Sequence, residues 1–156
     1  MGSDHGGVGL RRLLVEQMRA AGHAVVAEHG PADPSESCDY PDVAVAVCRA
    51  VRGDAGSLGL LVCGTGQGMA MSANRVRGIR AALVGDVFSA RMAREHNDAN
   101  VICMGERVVG PGLAVDLWAA FAGARFEGGR HARRVGKLDA IAGDGAAEPG
   151  ARGEGS

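Results

Sequence analysis

The sequence predicts an α/β domain, a mainly parallel sheet flanked by helices. Two observations carry this expectation. Short apolar runs alternate with amphipathic helical stretches along most of the chain. One run, Leu58 to Val62, is apolar without a break, as a strand covered on both faces should be. The 156 residues suffice for one such domain. It is expected over residues 1–142, with a Gly/Ala/charge-rich, disordered tail over 143–156.

Val8 to Ala21 reads as a helix, with Leu10, Leu13, Leu14 and Met18 on one face and Gly22 as a stop signal. Ala24 to Ala27 reads as a short strand. A polar, turn-rich loop follows from Glu28 to Asp42. Pro41 suits the first turn of the next helix, which runs to about Val51. After the strand Leu58–Val62 come a glycine turn and a helix. Arg80 to Val84 and Asn100 to Met104 are the next strands, separated by a helix from Phe88 to Glu95. Leu113 to Phe121 is a helix with Leu113, Leu117, Trp118 and Phe121 inward. A last helix spans roughly Arg130 to Ile141. At the start, "GSDHGG" opens a helix, yet only Met1 to Ser3 precede it as strand. The opening strand is therefore expected to be missing. The plainer alternative is that Asp4 simply caps the helix.

Composition narrows the function. Apolar residues make up 46% of the chain but aromatics only 3%, so Ala, Val, Leu, Ile and Met must build the core. A formal charge of −1 offers no basic field for nucleic acid. No apolar run approaches a membrane span, and "MGSDHGG" does not resemble a signal peptide, so a cytoplasmic protein is expected. Cys38, Cys48, Cys63 and Cys103 form no CxxC pair, which argues against a metal site or a disulfide framework.

Ligands of such sheets collect at the carboxyl ends of the strands. Four polar clusters are taken to meet this strand-end test: Asp4-His5-Gly6-Gly7, Cys63 with Gly64 to Gly68, His96-Asn97-Asp98 just before the strand from Asn100, and Arg107 just after it. "GGRHARR" opens the last helix. The glycine loop either binds an anion through its backbone N–H groups or is a plain tight turn. Cys63 is either a small buried hydrophobe or a thiol activated beside the following helix. His96 either answers a helix dipole or does chemistry. Arg130 and Arg134 share a helix face, either in surface ion pairs or around an anion. Arg133 lies off that face.

Taken in order, "DHGG", "DYPD", "CGTGQG", "NRVRGIRAA", "SARMAREHNDANV", "GERVVG" and "FEGGRHARRV" resemble the ribose-5-phosphate isomerase B family. That family includes galactose-6-phosphate and allose-6-phosphate isomerases. The resemblance covers about Gly2 to Ile141. It implies a three-layer α/β/α sandwich with a Rossmann-like sheet, and aldose–ketose isomerisation of a sugar phosphate without metal or organic cofactor. It also implies a homodimer or tetramer whose site is completed at the subunit interface. By resemblance Cys63 is the proton-transferring base and His96 opens the sugar ring. Asp4, His5 and Asn97 contact the sugar, and Gly64, Thr65, Gly66, Gln67 and Gly68 hold its reacting end. Arg107, Arg130 and Arg134 clamp the phosphate. Some members replace the cysteine by a glutamate just after the glycine loop. Met69 stands there, so the cysteine type is implied. The family's strand before its Asp-His pair would lie inside the sheet.

Overall fold

A computed structural model describes residues 1–144 of the protein. Four parallel strands form one sheet in the order β1-β2-β4-β3: β1 is Gly2–Ser3, β2 Gly59–Cys63, β3 Ala81–Leu83 and β4 Val101–Gly105. The helices are α1 Val8–Ala20, α2 Tyr40–Gly53, α3 Gln67–Ala73, α4 Val87–Asn97, α5 Pro111–Gly123 and α6 Arg130–Asp144. The expected tail lies outside the described residues apart from its first two positions, which continue α6.

Residues of the two central strands alternate between two cores, as the two-residue period of a strand requires. Leu60, Val62, Ile102 and Met104 meet Leu14 and Met18 of α1, Ala90 of α4 and Phe121 of α5. Leu61, Cys63, Val101 and Cys103 meet Val43 and Val47 of α2 and Met69 of α3. This is the expected α/β/α sandwich. Phe121 is the one fully buried aromatic among the described residues, and small aliphatics fill the rest. No described helix is long and apolar enough to cross a membrane.

Three expectations need correction. The opening strand is present only as a two-residue piece: Gly2 and Ser3 pair in parallel with Leu61 and Val62 of the five-residue β2. It also lies at the end of the four-stranded order, not inside it. Asp4 caps as well, its Oδ1 accepting the Gly6 N–H at 2.9 Å ahead of a 3-10 turn, His5–Gly7.

Ala24 to Ala27 is not a strand. Among the described residues its neighbour is the two-residue β1, and the contact is a single bridge between Gly2 and His29, beyond the expected segment. The Met1 ammonium donates to the Ala27 carbonyl at 2.7 Å. Burial of that ammonium pushes its pKa down.

Leu113 does not face inward. It is 37% exposed, and Ala114 takes the buried position beside Leu117 and Phe121. Gly22 does stop α1: it takes φ +83° while its N–H bonds back to the Arg19 carbonyl.

Candidate active site

The sheet brings one group of the predicted residues together at its carboxyl edge. β1 ends into Asp4-His5, β2 ends in Cys63, and β4 ends just before Glu106-Arg107. Close backbone approach packs the turns on one another. A Cβ on Gly7 would lie 2.7 Å from the Val62 carbonyl oxygen, and one on Gly105 would lie 2.6 Å from Thr65 backbone. A Cβ on Gly6 would touch the Gly64 amide nitrogen at 3.3 Å. Only glycine lets these three segments converge.

Cys63 is buried at the centre of this group, and the Gly66 N–H donates to its Sγ at 3.1 Å. Gly66 can turn that way because it takes φ +77°. Thr65 and Gln67 are exposed on the same turn, and Gly68 lies against the Tyr40 ring. The Arg107 guanidinium lies over Gly64. Asp4 is nearly buried, and burial pushes its carboxyl pKa up against the pull of the Gly6 N–H, His5 and Arg107. His5 is exposed, with Nδ1 3.3 Å from the Cys38 carbonyl oxygen and 3.4 Å from the Cys38 amide nitrogen.

The surroundings of the other three cysteines favour the thiol over the thiolate. Burial pushes Cys48 up to about 11 and raises Cys103 further. Cys38 is also raised, first by burial and then by the charges of Asp4 and Asp39.

The second group sits elsewhere. The sequence HNDAN precedes a strand, so it lies at that strand's amino end. α4 carries the chain from the carboxyl end of β3 back to the start of β4, and His96 and Asn97 close it. Five residues of β4 separate the two sheet edges, about 16 Å.

Arg130 and Arg134 join His96 on this far side. The Glu127 N–H donates to the Glu95 carbonyl at 3.0 Å and docks the start of α6 on the end of α4. His131 then stacks on His96, with ring centroids 4.2 Å apart and planes 9° from parallel. The Arg130 Nε lies 3.3 Å from the His131 Nε2. Among the described residues neither Arg130 nor Arg134 pairs with a carboxylate.

Ligand atoms of His96, Glu127 and His131 lie within 4.8 Å of one another. Stacked parallel rings aim their nitrogen lone pairs side by side rather than at one point, and a guanidinium sits beside them. This geometry does not suit a resident cation.

Sequence reasoning passed over several contributors. Tyr40 covers Gly68. The Glu106 carboxylate accepts the Leu10 N–H at 2.8 Å and ties the end of β4 to the first turn of α1. The signal for Glu106 was its place beside Arg107 in "GER". The stacking of His131 had no sequence signal beyond its neighbours.

A family model for ribose/galactose isomerase matches residues 1–138. Ribose-5-phosphate isomerase B of Escherichia coli (strain K12) is 42% identical over 140 residues, 90% of this chain and 93% of that protein. D-Erythrulose-4-phosphate isomerase of Pectobacterium atrosepticum is 38% identical over 138 residues, 88% of this chain and 90% of that one. The solved structure of Clostridium thermocellum ribose-5-phosphate isomerase B matches with a TM-score of 0.89 at 45% identity, covering 93% of this chain and 97% of that chain. Fold and relatives together define the class as an aldose–ketose isomerase. The chain belongs to the ribose/galactose isomerase family.

Proposed function

We propose that the protein interconverts ribose 5-phosphate and ribulose 5-phosphate, with Cys63 as the base and a second copy of the chain completing the site. The observation that carries this reading is the bond from the Gly66 N–H to the Cys63 Sγ, in a glycine turn whose Gly64 approaches Gly6, two residues after Asp4. A thiolate there is held by a fixed donor, at the lip of a loop rich in backbone N–H groups.

His96 moves a proton between the anomeric hydroxyl and the ring oxygen, opening the furanose. The Cys63 thiolate then takes the C2 proton. The C1 oxygen gains a proton as the C2 hydroxyl gives one up, through an enediolate. Backbone N–H groups of the Gly64–Gly68 turn, with Thr65, stabilise its negative charge. Cys63 returns its proton to C1. Arg130 and Arg134 hold the phosphate and so fix the reacting carbons against the base, with Arg107 as the third cation. Asp4, His5 and Asn97 read the sugar hydroxyls.

The topology favours sharing between subunits. Cys63 and His96 stand at opposite sheet edges about 16 Å apart, too far for one small sugar to touch both within one chain. A two-fold pair that sets the carboxyl edge of one copy against the α4–α6 corner of the other closes the gap twice. Arg107 then belongs to the same copy as Cys63, and His96, Asn97, Arg130 and Arg134 to the other.

Cys63→Ala is expected to lower kcat on ribose 5-phosphate by at least about 100-fold with little change in KM. Full turnover by this variant overturns the mechanism. A four-carbon substrate is the second reading, favoured by the Pectobacterium relative. Assaying an aldotetrose 4-phosphate in parallel decides between them.

A further inference from the structure

The motif "NRVRGIRAA" supplies none of the residues assigned to the reaction, yet its Arg80 reaches the corner where His96 and Asn97 stand. Arg80 is fixed at its root. Its N–H donates to the Asn100 Oδ1 at 2.9 Å, and its carbonyl accepts the N–H groups of Asn100 at 3.1 Å and Val101 at 3.3 Å. Residue 80 is thus tied to the start of β4. From there the side chain, only 17% exposed, runs back to the end of α4. Its Nε–H is shared between the Asn97 and Asp98 carbonyls, each at 3.0 Å. Its Nη2 donates to the Asp98 carboxylate at 2.7 Å. A guanidinium only donates and a carbonyl only accepts, so the direction of this grip is fixed.

What Arg80 holds is a strained helix end. Asp98 takes φ +47°, the one non-glycine residue at positive φ among the described residues. Glycine usually stands at such a cap. The left-handed turn lets the Asp98 N–H bond back to the Arg94 carbonyl at 3.1 Å and the Ala99 N–H to the Ala93 carbonyl at 2.9 Å. Arg94 Nη1 takes the other Asp98 oxygen at 2.9 Å and the Ala99 carbonyl at 2.8 Å. The last carbonyls of a helix have no partner within it, and its C-terminus favours a cation. Arg80 answers both needs. Residues 98–100 alone separate α4 from β4, and Arg80 grips both ends of that connection.

His96 and Asn97 are the last two residues of α4. The His96 ring makes no hydrogen bond among the described residues. The Glu127 Oε2 is 3.8 Å away, and the remaining contact is the stack on His131. Where the ring points is therefore set by the backbone that carries it.

We propose that Arg80 is a positioning residue for ring opening: by tying the Asn97 and Asp98 carbonyls to the start of β4, it fixes the last turn of α4 and aims His96 at the sugar. The role of His96, and its sharing with the Cys63 of a second copy, rest on the isomerase reading. The grip itself rests on the contacts.

Arg80→Gln should lower kcat on ribose 5-phosphate about 10- to 100-fold, the effect of a displacement near 1 Å, and should change KM less. Arg80→Lys, which keeps a cation and can hold one carbonyl, should recover part of the loss. Should Arg80→Gln not fold, Arg80→Lys carries the same measurements. Asp139→Asn removes only the half-exposed ion pair that joins the Arg80 Nη1 to α6 at 3.3 Å, and should stay within about twofold. Subunit mixing locates the lesion. Arg80→Gln exchanged with Cys63→Ala should recover about a quarter of wild-type activity, because one site of each mixed dimer is intact. Exchanged with His96→Asn, it should gain nothing. In NMR, the His96 ring protons, shielded by the stacked His131 ring, should shift in Arg80→Gln and hold in Asp139→Asn.

Wild-type kcat in a folded Arg80→Gln overturns the proposal. So does a loss that only follows the folded fraction, with unmoved His96 signals. An equal loss in Asp139→Asn overturns it too, by moving the role to α6. So does a failure to recover with Cys63→Ala while His96→Asn recovers with it. If neither variant recovers with Cys63→Ala, sharing between copies falls, and the His96 signals alone decide the role of Arg80.

Discussion

Gly66 and Cys63 act as one unit. The thiol has its donor only because residue 66 takes φ +77°, where a side chain is strained. Space is also lacking: a Cβ on Gly66 would stand 2.6 Å from the Leu83 Cδ1 and 2.8 Å from the Met104 carbonyl carbon. Leu83 can swing away, but Met104 is backbone of a central strand. Gly66→Ala is expected to cost roughly 2–4 kcal/mol, from the left-handed conformation and the overpacking together, read by urea unfolding. Activity should fall beyond the loss of folded protein, because the N–H that faces Cys63 moves with the turn. Gly68→Ala makes a control. Its φ is unstrained, and the added methyl meets the half-exposed Tyr40 ring, which can shift. An equal loss in both variants would contradict a special role for Gly66. In the sequence these were two of several glycines in one turn. Nothing in the spelling "GTGQG" says which N–H reaches the sulfur.

The elements follow local pattern where they pack both sides of the sheet. β2 and β4 were legible because each is an unbroken apolar run, and α1 and α2 because their apolar residues recur at helical spacing. The segment Ala24–Ala27 was misread because a strand needs a neighbour, and its neighbour's length is not a local property.

The corner of α4 and α6 was half legible. "EHN" and "RHARR" could be picked out singly, but the stacking of His96 on His131 arises from the Gly128-Gly129 turn, both at positive φ, which seats α6 on α4. That packing has a pH signature. Burial is the main force pushing the His131 pKa down, with His96, Arg130 and Arg134 adding repulsion and Glu127 opposing them. A histidine lowered in the fold is more readily protonated when unfolded. Its contribution to stability is therefore intact above its ordinary value of about 6.5 and is lost as pH falls below that value toward the lower folded one. Denaturation midpoints should fall from pH 7 to pH 5.5, and His131→Gln should flatten part of that slope. His29, lowered by burial and by the chain's ammonium, keeps the rest. An identical slope in His131→Gln would show that the stacked ring carries no such linkage.

At the scale of the molecule, the two groups of residues stand at opposite edges of the sheet. The carboxyl edge offers the thiol, the glycine turn and Arg107. The α4–α6 corner offers His96, Asn97 and two arginines that have no acidic partner among the described residues. The sequence displays both sets in one line, and the resemblance ties them to one reaction; the direction of β4 separates them, and the proposed sharing between subunits follows from that separation. Subunit mixing tests the consequence. Cys63→Ala and His96→Asn should each be nearly inactive alone. In a mixed two-fold dimer, one site collects both defects and the other collects none. Random exchange makes half of the dimers mixed, so equal amounts should recover about a quarter of wild-type activity. Recovery should appear only after the subunits are allowed to exchange, for example by mild denaturation and refolding together. Were each site built from a single chain, every site in the mixture would carry one defect, and no amount of exchange would restore turnover.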